Sequence, residues 1–389
     1  MGLEILFLLL PFAALTGWLL GRKGPQSGEC VRSRDLSQGY LQGLNYLISE
    51  QPDKAIEVFV RMLEVDSDTV ETHFALGSLF RRRGEVDRAI RIHQNLIARP
   101  SLSVSQRNTA LYELARDYCG AGLLDRAENL FLELVNDPEF TQRALTQLRD
   151  IYQQEKEWEK AIEMAERLAY VDSVPFGPTI AHYYCELAEE ALQRADRDKA
   201  LRLVKKAHSA DRQSVRASLL EAELQLLNEQ PKAARKALAR IEQQDPEFIS
   251  ESIEMLHRSY SQTGTPAQFG EQLARLLETC RSASLLLAYT EHLRTQQGSA
   301  AAAAMLTERL RAQPSMAGLR ALVGMKLEEQ HAGSREDLLL IHELLSKQLD
   351  AKPRYHCQSC GFVGKVLHWQ CPSCKQWSTV KPIQGIEGE

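Results

Sequence analysis

Residues Leu76–Ile90 read LGSLFRRRGEVDRAI, and the same order of residue types returns as LARDYCGAGLLDRAE at Leu114–Glu128 and LRDIYQQEKEWEKAI at Leu148–Ile162. In each copy an apolar or aromatic residue, a short polar turn and then an alanine stand at fixed offsets. Aligning that alanine gives Ala55, Ala89, Ala127, Ala161, Ala200 and Ala234, spaced 34, 38, 34, 39 and 34 residues apart. The offsets make physical sense for a helix–turn–helix unit. Leu76, Gly77 and Phe80 fall within a turn of one another on a first helix, Gly84 supplies the turn, and Ala89 lets a second helix come close. Gly122 does the same in the next copy. Beyond Ala234 the pattern weakens but persists, with Tyr260 and Gly264 repeating the aromatic-turn step and Phe269 in the place of the alanine. Pro52, Pro138, Pro246 and Pro314 fall near unit boundaries, where proline ends one helix or begins the next. Eight units are expected, followed by a terminal helix pair running to about Leu349.

A 34-residue period, with the longer intervals absorbed as loop insertions, is that of the tetratricopeptide repeat. Over roughly residues 36–315 the chain resembles that family. The resemblance implies an all-α right-handed superhelix whose first helices line a concave groove for a partner's peptide or helix. Such a repeat is a scaffold, so function narrows to binding. The balance of charge agrees: 47 Lys+Arg against 52 Asp+Glu leave a net of -5 over 389 residues, too nearly neutral for a dedicated nucleic-acid binder. No P-loop, GxSxG, HExxH or GxGxxG stands in a strand–helix context. No catalytic residue is therefore nominated, and an enzyme with its own active site is the least supported class.

Placing the repeat's eighth position on the first helix of each unit puts Tyr40, Arg81, Arg82, Tyr112, Arg116 and His182 on the inward face. Polar and aromatic groups have little packing reason to be there, which makes them candidates for partner contact. The alternative is a solvated basic face at Arg81–Arg82–Arg83 and an intrarepeat salt bridge at Arg116. Cys119, Cys185 and Cys280 stand alone in helices and read as small buried hydrophobes.

Ahead of the repeats, Leu3–Leu20 reads LEILFLLLPFAALTGWLL, long enough to cross a bilayer and interrupted only by Glu4 and Pro11. Arg22, Lys23, Arg32 and Arg34 follow the run, which keeps the downstream side cytoplasmic and the N-terminus periplasmic. A cleaved signal peptide would need a positive region before the apolar core and a small-x-small site after it, and neither is present. Residues 1–20 are thus expected to be a single-pass anchor, which other membrane proteins or a second copy of the chain could contact. Residues 21–35, beginning GRKGPQSGE, form the linker.

The far end carries the chemistry. Within RYHCQSCGFVGKVLHWQCPSCKQW, Cys357-x2-Cys360 and Cys371-x2-Cys374 are two matched knuckles ten residues apart. Four thiolates so spaced suit the corners of a tetrahedron around Zn²⁺ or iron. A disulfide pair is disfavoured in a reducing compartment, and a thioredoxin-like redox motif lacks its βαβ surroundings. Gly361 permits the turn after the second Cys, and Phe362–Gln370 reads as a short hairpin between the knuckles. His356 and His368 flank the knuckles, but four Cys already fill the site. From 351 to 386 there are five Lys/Arg and no Asp or Glu, a basic knob suited to a partner, a repeat groove or anionic headgroups. Residues 36–350 and 351–389 are accordingly separate domains.

CQSCG and CPSC resemble the rubredoxin-like and zinc-ribbon families. Rubredoxins that transfer electrons separate their knuckles by a longer segment and place Gly where this chain has Lys375. The LEILFLLLPFAALTGWLLGR anchor, RRRGEVDRAIRIHQNL and KPRYHCQSCGF…WQCPSCKQWSTVKPI together resemble the lipopolysaccharide assembly protein B family along essentially the whole chain. That resemblance implies an inner-membrane adaptor with a rubredoxin-type metal module, one metal ion on Cys357, Cys360, Cys371 and Cys374. It further implies regulation of lipopolysaccharide synthesis through turnover of the lipid A pathway deacetylase by the membrane-bound AAA+ protease. A redox or metal-sensing repeat protein and a scaffold for another envelope complex are the alternatives.

Overall fold

The computed structural model describes residues 39–49, 51–65, 70–172, 175–329, 335–386 and 388. The expected anchor and linker lie outside the described residues. Among the described residues no helix is long and apolar enough to cross a membrane.

The chain is a run of helix pairs closed by a small sheet, and it forms two compact units, one up to Ile151 and one from Tyr152. In the first unit, helical residues 39–48 (α1) pair with α2 (Pro52–Val65). Then come α3 (Val70–Arg82) with α4 (Val86–Ile97), and α5 (Val104–Gly120) with α6 (Leu124–Leu134). Helix α7 (Thr141–Glu155) runs across the boundary, and α8 (Trp158–Asp172) follows it. The second unit continues with α9 (Gly177–Gln193) and α10 (Arg197–Ala210), then α11 (Val215–Leu227) and α12 (Pro231–Leu238). A short helix, α13 (Ile241–Gln244), and a 3-10 turn at Pro246–Phe248 lead into α14 (Ile249–Thr263) and α15 (Pro266–Thr279). Helices α16 (Ala283–Gln297) and α17 (Ser299–Ala312) complete the eighth pair among the described residues, and α18 (Met316–Glu329) and α19 (Arg335–Ala351) add a terminal one.

All six repeat alanines, Ala55 through Ala234, are wholly buried. A methyl side chain is what allows the second helix of each pair to close against the first. Gly77 answers the same need from the other side, because a Cβ there would lie 2.5 Å from the His93 ring. Around this contact Phe59, Leu76, Leu79 and Phe80 form one apolar cluster of the first unit, each burial worth about 1.5–3 kcal/mol.

The turn inside the second to sixth pairs is left-handed. Gly84 and Gly122 take φ of 79° and 74°, and Lys156, Ala195 and Glu229 take 60°, 60° and 55° at the corresponding places. Each is followed by a backbone N–H reaching back to the helix: Glu85 to Phe80, Leu123 to Tyr118, Glu157 to Tyr152, Asp196 to Ala191 and Gln230 to Gln225, all at 2.8–2.9 Å. These bonds satisfy the last carbonyls of the first helix and end it at the same place whether or not glycine is present.

After α19 the chain forms β1 (Tyr355–Cys357), β2 (Val363–Gly364) and β3 (Val380–Pro382), an antiparallel sheet in the order β2-β1-β3. The expected hairpin over Phe362–Gln370 is not what forms. Instead each hairpin closes around a knuckle: His356 pairs with Val363 across the first, and Gln370 with Trp377 across the second. The tight Cys-x-x-Cys turn reverses the chain within each knuckle, leaving the segment between them to pass from one to the other.

A candidate metal centre seated on the repeats

The two knuckles are built alike. Gly361 N–H donates to the Cys357 carbonyl and Lys375 N–H to the Cys371 carbonyl, both at 2.9 Å, while Cys357 and Cys371 N–H reach forward to the carbonyls of Phe362 and Gln376. Gly361 has φ 76° and Lys375 has φ 60°. The lysine where rubredoxins carry glycine therefore leaves the knuckle backbone unchanged, at a cost of about 1–2 kcal/mol for a non-glycine residue in that region.

This brings Cys357, Cys360, Cys371 and Cys374 together, with all four sulfurs within 4.8 Å of one another. Cys357 Sγ lies 3.8 Å from Cys374 Sγ, and Cys360 Sγ 3.6 Å from Cys371 Sγ. A tetrahedron with metal–sulfur bonds of about 2.3 Å has edges of about 3.8 Å, so the donor set fits one four-coordinate ion. Cys357 Sγ shares a 3.2 Å hydrogen bond with the Thr379 hydroxyl. That bond, with help from the Cys360 and Ser359 amides, holds the Cys357 thiol down at about 6, favouring the thiolate that a metal requires. Cys357 and Cys371 are buried, Cys374 half-buried and Cys360 exposed. His356 and His368 are not in the cluster.

The module does not stand apart from the helices. Trp369 and Trp377, one on each side of the second knuckle, enter the inner face formed by first helices of the second unit. Trp377 stacks on His182 at 4.7 Å and 19°, and meets Tyr183 and Trp158 edge-on at 5.9 and 6.4 Å. Its indole N–H donates to Gln153 Oε1 at 2.9 Å, an oxygen that also accepts from the Tyr183 hydroxyl. His182 Nε2 lies 2.6 Å from Ser378 Oγ. Trp369 stacks on Phe248 at 5.4 Å and 20°. Between the two indoles sits Arg216, about 6 Å from each ring and 3% exposed, paired with Glu186 and Glu189 at 2.8 Å.

Polar contacts at the rim complete the seat. Lys381 Nζ is 2.9 Å from both Asp245 and Glu247, and the Tyr355 hydroxyl donates to Glu251 at 2.7 Å. The basic knob thus meets carboxylates of its own repeats. Each aromatic pair contributes about 0.5–1.5 kcal/mol beyond burial, so the two tryptophans outweigh the half-exposed ion pairs. Burial, reinforced by Arg216, depresses the His182 imidazole to about 3 and keeps it neutral.

Most of the inward-facing residues have partners within the chain. Arg81 bridges Glu113 and Asp117 at 2.6 Å each, and Asp117 is in turn 2.5 Å from His93 Nδ1, all behind the surface. Tyr112 is buried against Phe131 and Phe140 with Arg143 over its ring. Tyr40 packs on Phe59. His182 is covered by the module itself. Arg116 pairs with Glu113 one turn away but stays 42% exposed, and Arg82 is exposed. Of the six, Arg82 and Arg116 remain on the surface. Trp369, Trp377, Arg216 and Gln153 were not nominated from sequence. The placement of the tryptophans close on either side of the second knuckle, in WQCPSCKQW, was the available signal.

A model of the rubredoxin metal-binding domain matches residues 355–382, and tetratricopeptide repeat models match 72–104 and 191–256. Lipopolysaccharide assembly protein B of Escherichia coli K12 is 42% identical over 387 residues, spanning 99% of this chain and all of the relative. The Haemophilus influenzae protein of the same name is 36% identical over 394 residues, 99% of each.

Proposed function

Because the chain belongs to the lipopolysaccharide assembly protein B family, we propose that it is a non-enzymatic adaptor of the inner membrane that keeps lipopolysaccharide synthesis in balance. In this reading the apolar run at Leu3–Leu20 holds the body on the cytoplasmic side, beside the membrane-bound AAA+ protease. The repeats present the lipid A pathway deacetylase to that protease, and anchoring raises the effective concentration of one partner near the other. The observation that carries the reading is the seat. Helices α9, α11 and α14, with Gln153 at the end of α7, turn side chains to holding a protein module, which is the work of a docking scaffold.

Cys357, Cys360, Cys371 and Cys374 would hold the metal, and we assign zinc. Bound there, it supplies cross-linking of the two knuckles, which so small a segment needs in order to fold. The residues of the chain do the rest: Thr379 supports one sulfur, and Trp369 and Trp377 fix the loaded module on the helices. Iron in the same site would declare itself by visible absorption that bleaches on reduction.

The test is crosslinking in cells from a photoreactive residue at Arg82 or Arg116, combined with the half-life of the deacetylase after depletion of this protein. Capture of the deacetylase or the protease, with a lengthened half-life, is expected. Capture of neither with unchanged turnover would remove the adaptor reading.

A further inference from the structure

The terminal module covers the inner face of the second unit as far as Glu251 on α14, where the Tyr355 hydroxyl binds. One turn further along α14 the face opens into a cavity of about 370 Å³ shared with α16. Its floor is the buried Phe269 of α15. The His257 and His292 rings stand edge-on to that ring at 5.3 and 5.8 Å, and Tyr260 lies 5.8 Å away. Gly270 lies under His292, where any side chain would collide with the imidazole.

Two carboxylates rim the cavity. Glu291 is bridged to Arg294 at 2.9 Å. Glu254 is exposed and makes no ion pair among the described residues. No lysine or arginine lines the space. Burial, with the neighbouring His257, holds the His292 imidazole below its ordinary value, so near neutral pH it offers a lone pair rather than a charge.

We propose that this cavity is a subsite for a cationic side chain, an arginine, carried by a partner protein segment lying along the groove beside the seated module. An aromatic floor attracts a guanidinium over its face, and an uncompensated carboxylate with the His292 ring as acceptor receives its N–H groups. An acidic segment would meet Glu254 and Glu291 with no cation among the lining residues to receive it. The continuity with the seat matters as well, since a segment entering here abuts the module edge at Tyr355. The identity of the partner rests on the adaptor reading, whereas the chemistry of the subsite does not.

The test uses the full chain in detergent, with its histidine imidazoles ¹³C-labelled, titrated with the capped tripeptide acetyl-Gly-Arg-Gly-amide. Matched peptides carrying citrulline or glutamate serve as comparisons. The expected result is saturable movement of the His257 and His292 signals, assigned by substitution, with the arginine peptide. Binding should weaken about tenfold with citrulline, the loss of one charge-assisted pair, and by a similar factor in Glu254→Gln, while Glu254→Asp retains binding. Equal binding of the citrulline or glutamate peptide, unchanged affinity in Glu254→Gln, or no movement of these two signals would overturn the proposal. The readout contains neither protease nor deacetylase, so its failure is distinguishable from failure of the adaptor reading.

Discussion

Trp377 does more than fill space. It stacks on His182, meets Trp158 and Tyr183 by their edges and donates to Gln153, so truncation removes an anchor and one of the two hydrogen bonds to that oxygen. Trp377→Ala is expected to cost roughly 2–3 kcal/mol, less than the ~3–5 of a wholly buried tryptophan because the ring is half-buried. Denaturant unfolding followed by protection of 355–382 would measure it, and a loss under 0.5 kcal/mol would be incompatible with the seat. His182 makes a second prediction. Its folded value near 3 lies below the ordinary imidazole value of 6.5, so the unfolded state takes up a proton first as pH falls. Stability is full above about 6.5 and declines as pH drops below it. Unfolding midpoints between pH 7 and 5 should fall more steeply for the natural chain than for His182→Gln. His182 and Tyr112 also show why an inward face admits two readings. A polar aromatic residue at a groove position has the same local signature whether it waits for a partner or already holds one from its own chain.

At the scale of elements, the repeat was legible because its constraints are local. The buried alanines recur at the 34-residue period, and Gly84 and Gly122 mark turns that need positive φ. The turns at Lys156, Ala195 and Glu229 were hidden, since there the geometry is imposed by packing and by the returning N–H bond rather than by glycine. Lys375 is the same case within the second knuckle. Lys375→Gly relieves its left-handed strain but adds backbone freedom to the unfolded chain, for a net gain of about 0.5–1 kcal/mol. Slower metal transfer to a chelator should report it, and faster transfer would show that the lysine side chain contributes something the backbone account omits. The four ligands were legible for a similar reason, as two turns of fixed length. The hairpins were not, because they wrap the knuckles instead of joining them.

At the scale of the whole molecule, the seat joins residues 196 and 224 positions apart, in the pairs His182–Ser378 and Gln153–Trp377. No period or motif encodes such a contact, although the excess of Lys/Arg over 351–386 marked the module as a docking piece and Lys381 fulfils that at Asp245 and Glu247. The central claim is that the metal-loaded module is the resident occupant of the inner face of the second unit. Hydrogen–deuterium exchange of the full chain before and after chelation tests it most directly. Metal removal is predicted to deprotect 355–382 and, with it, to raise exchange in α9 and α11, while α4 to α6 of the first unit stay unchanged. Deprotection of the module with α9 and α11 unaltered would contradict the account.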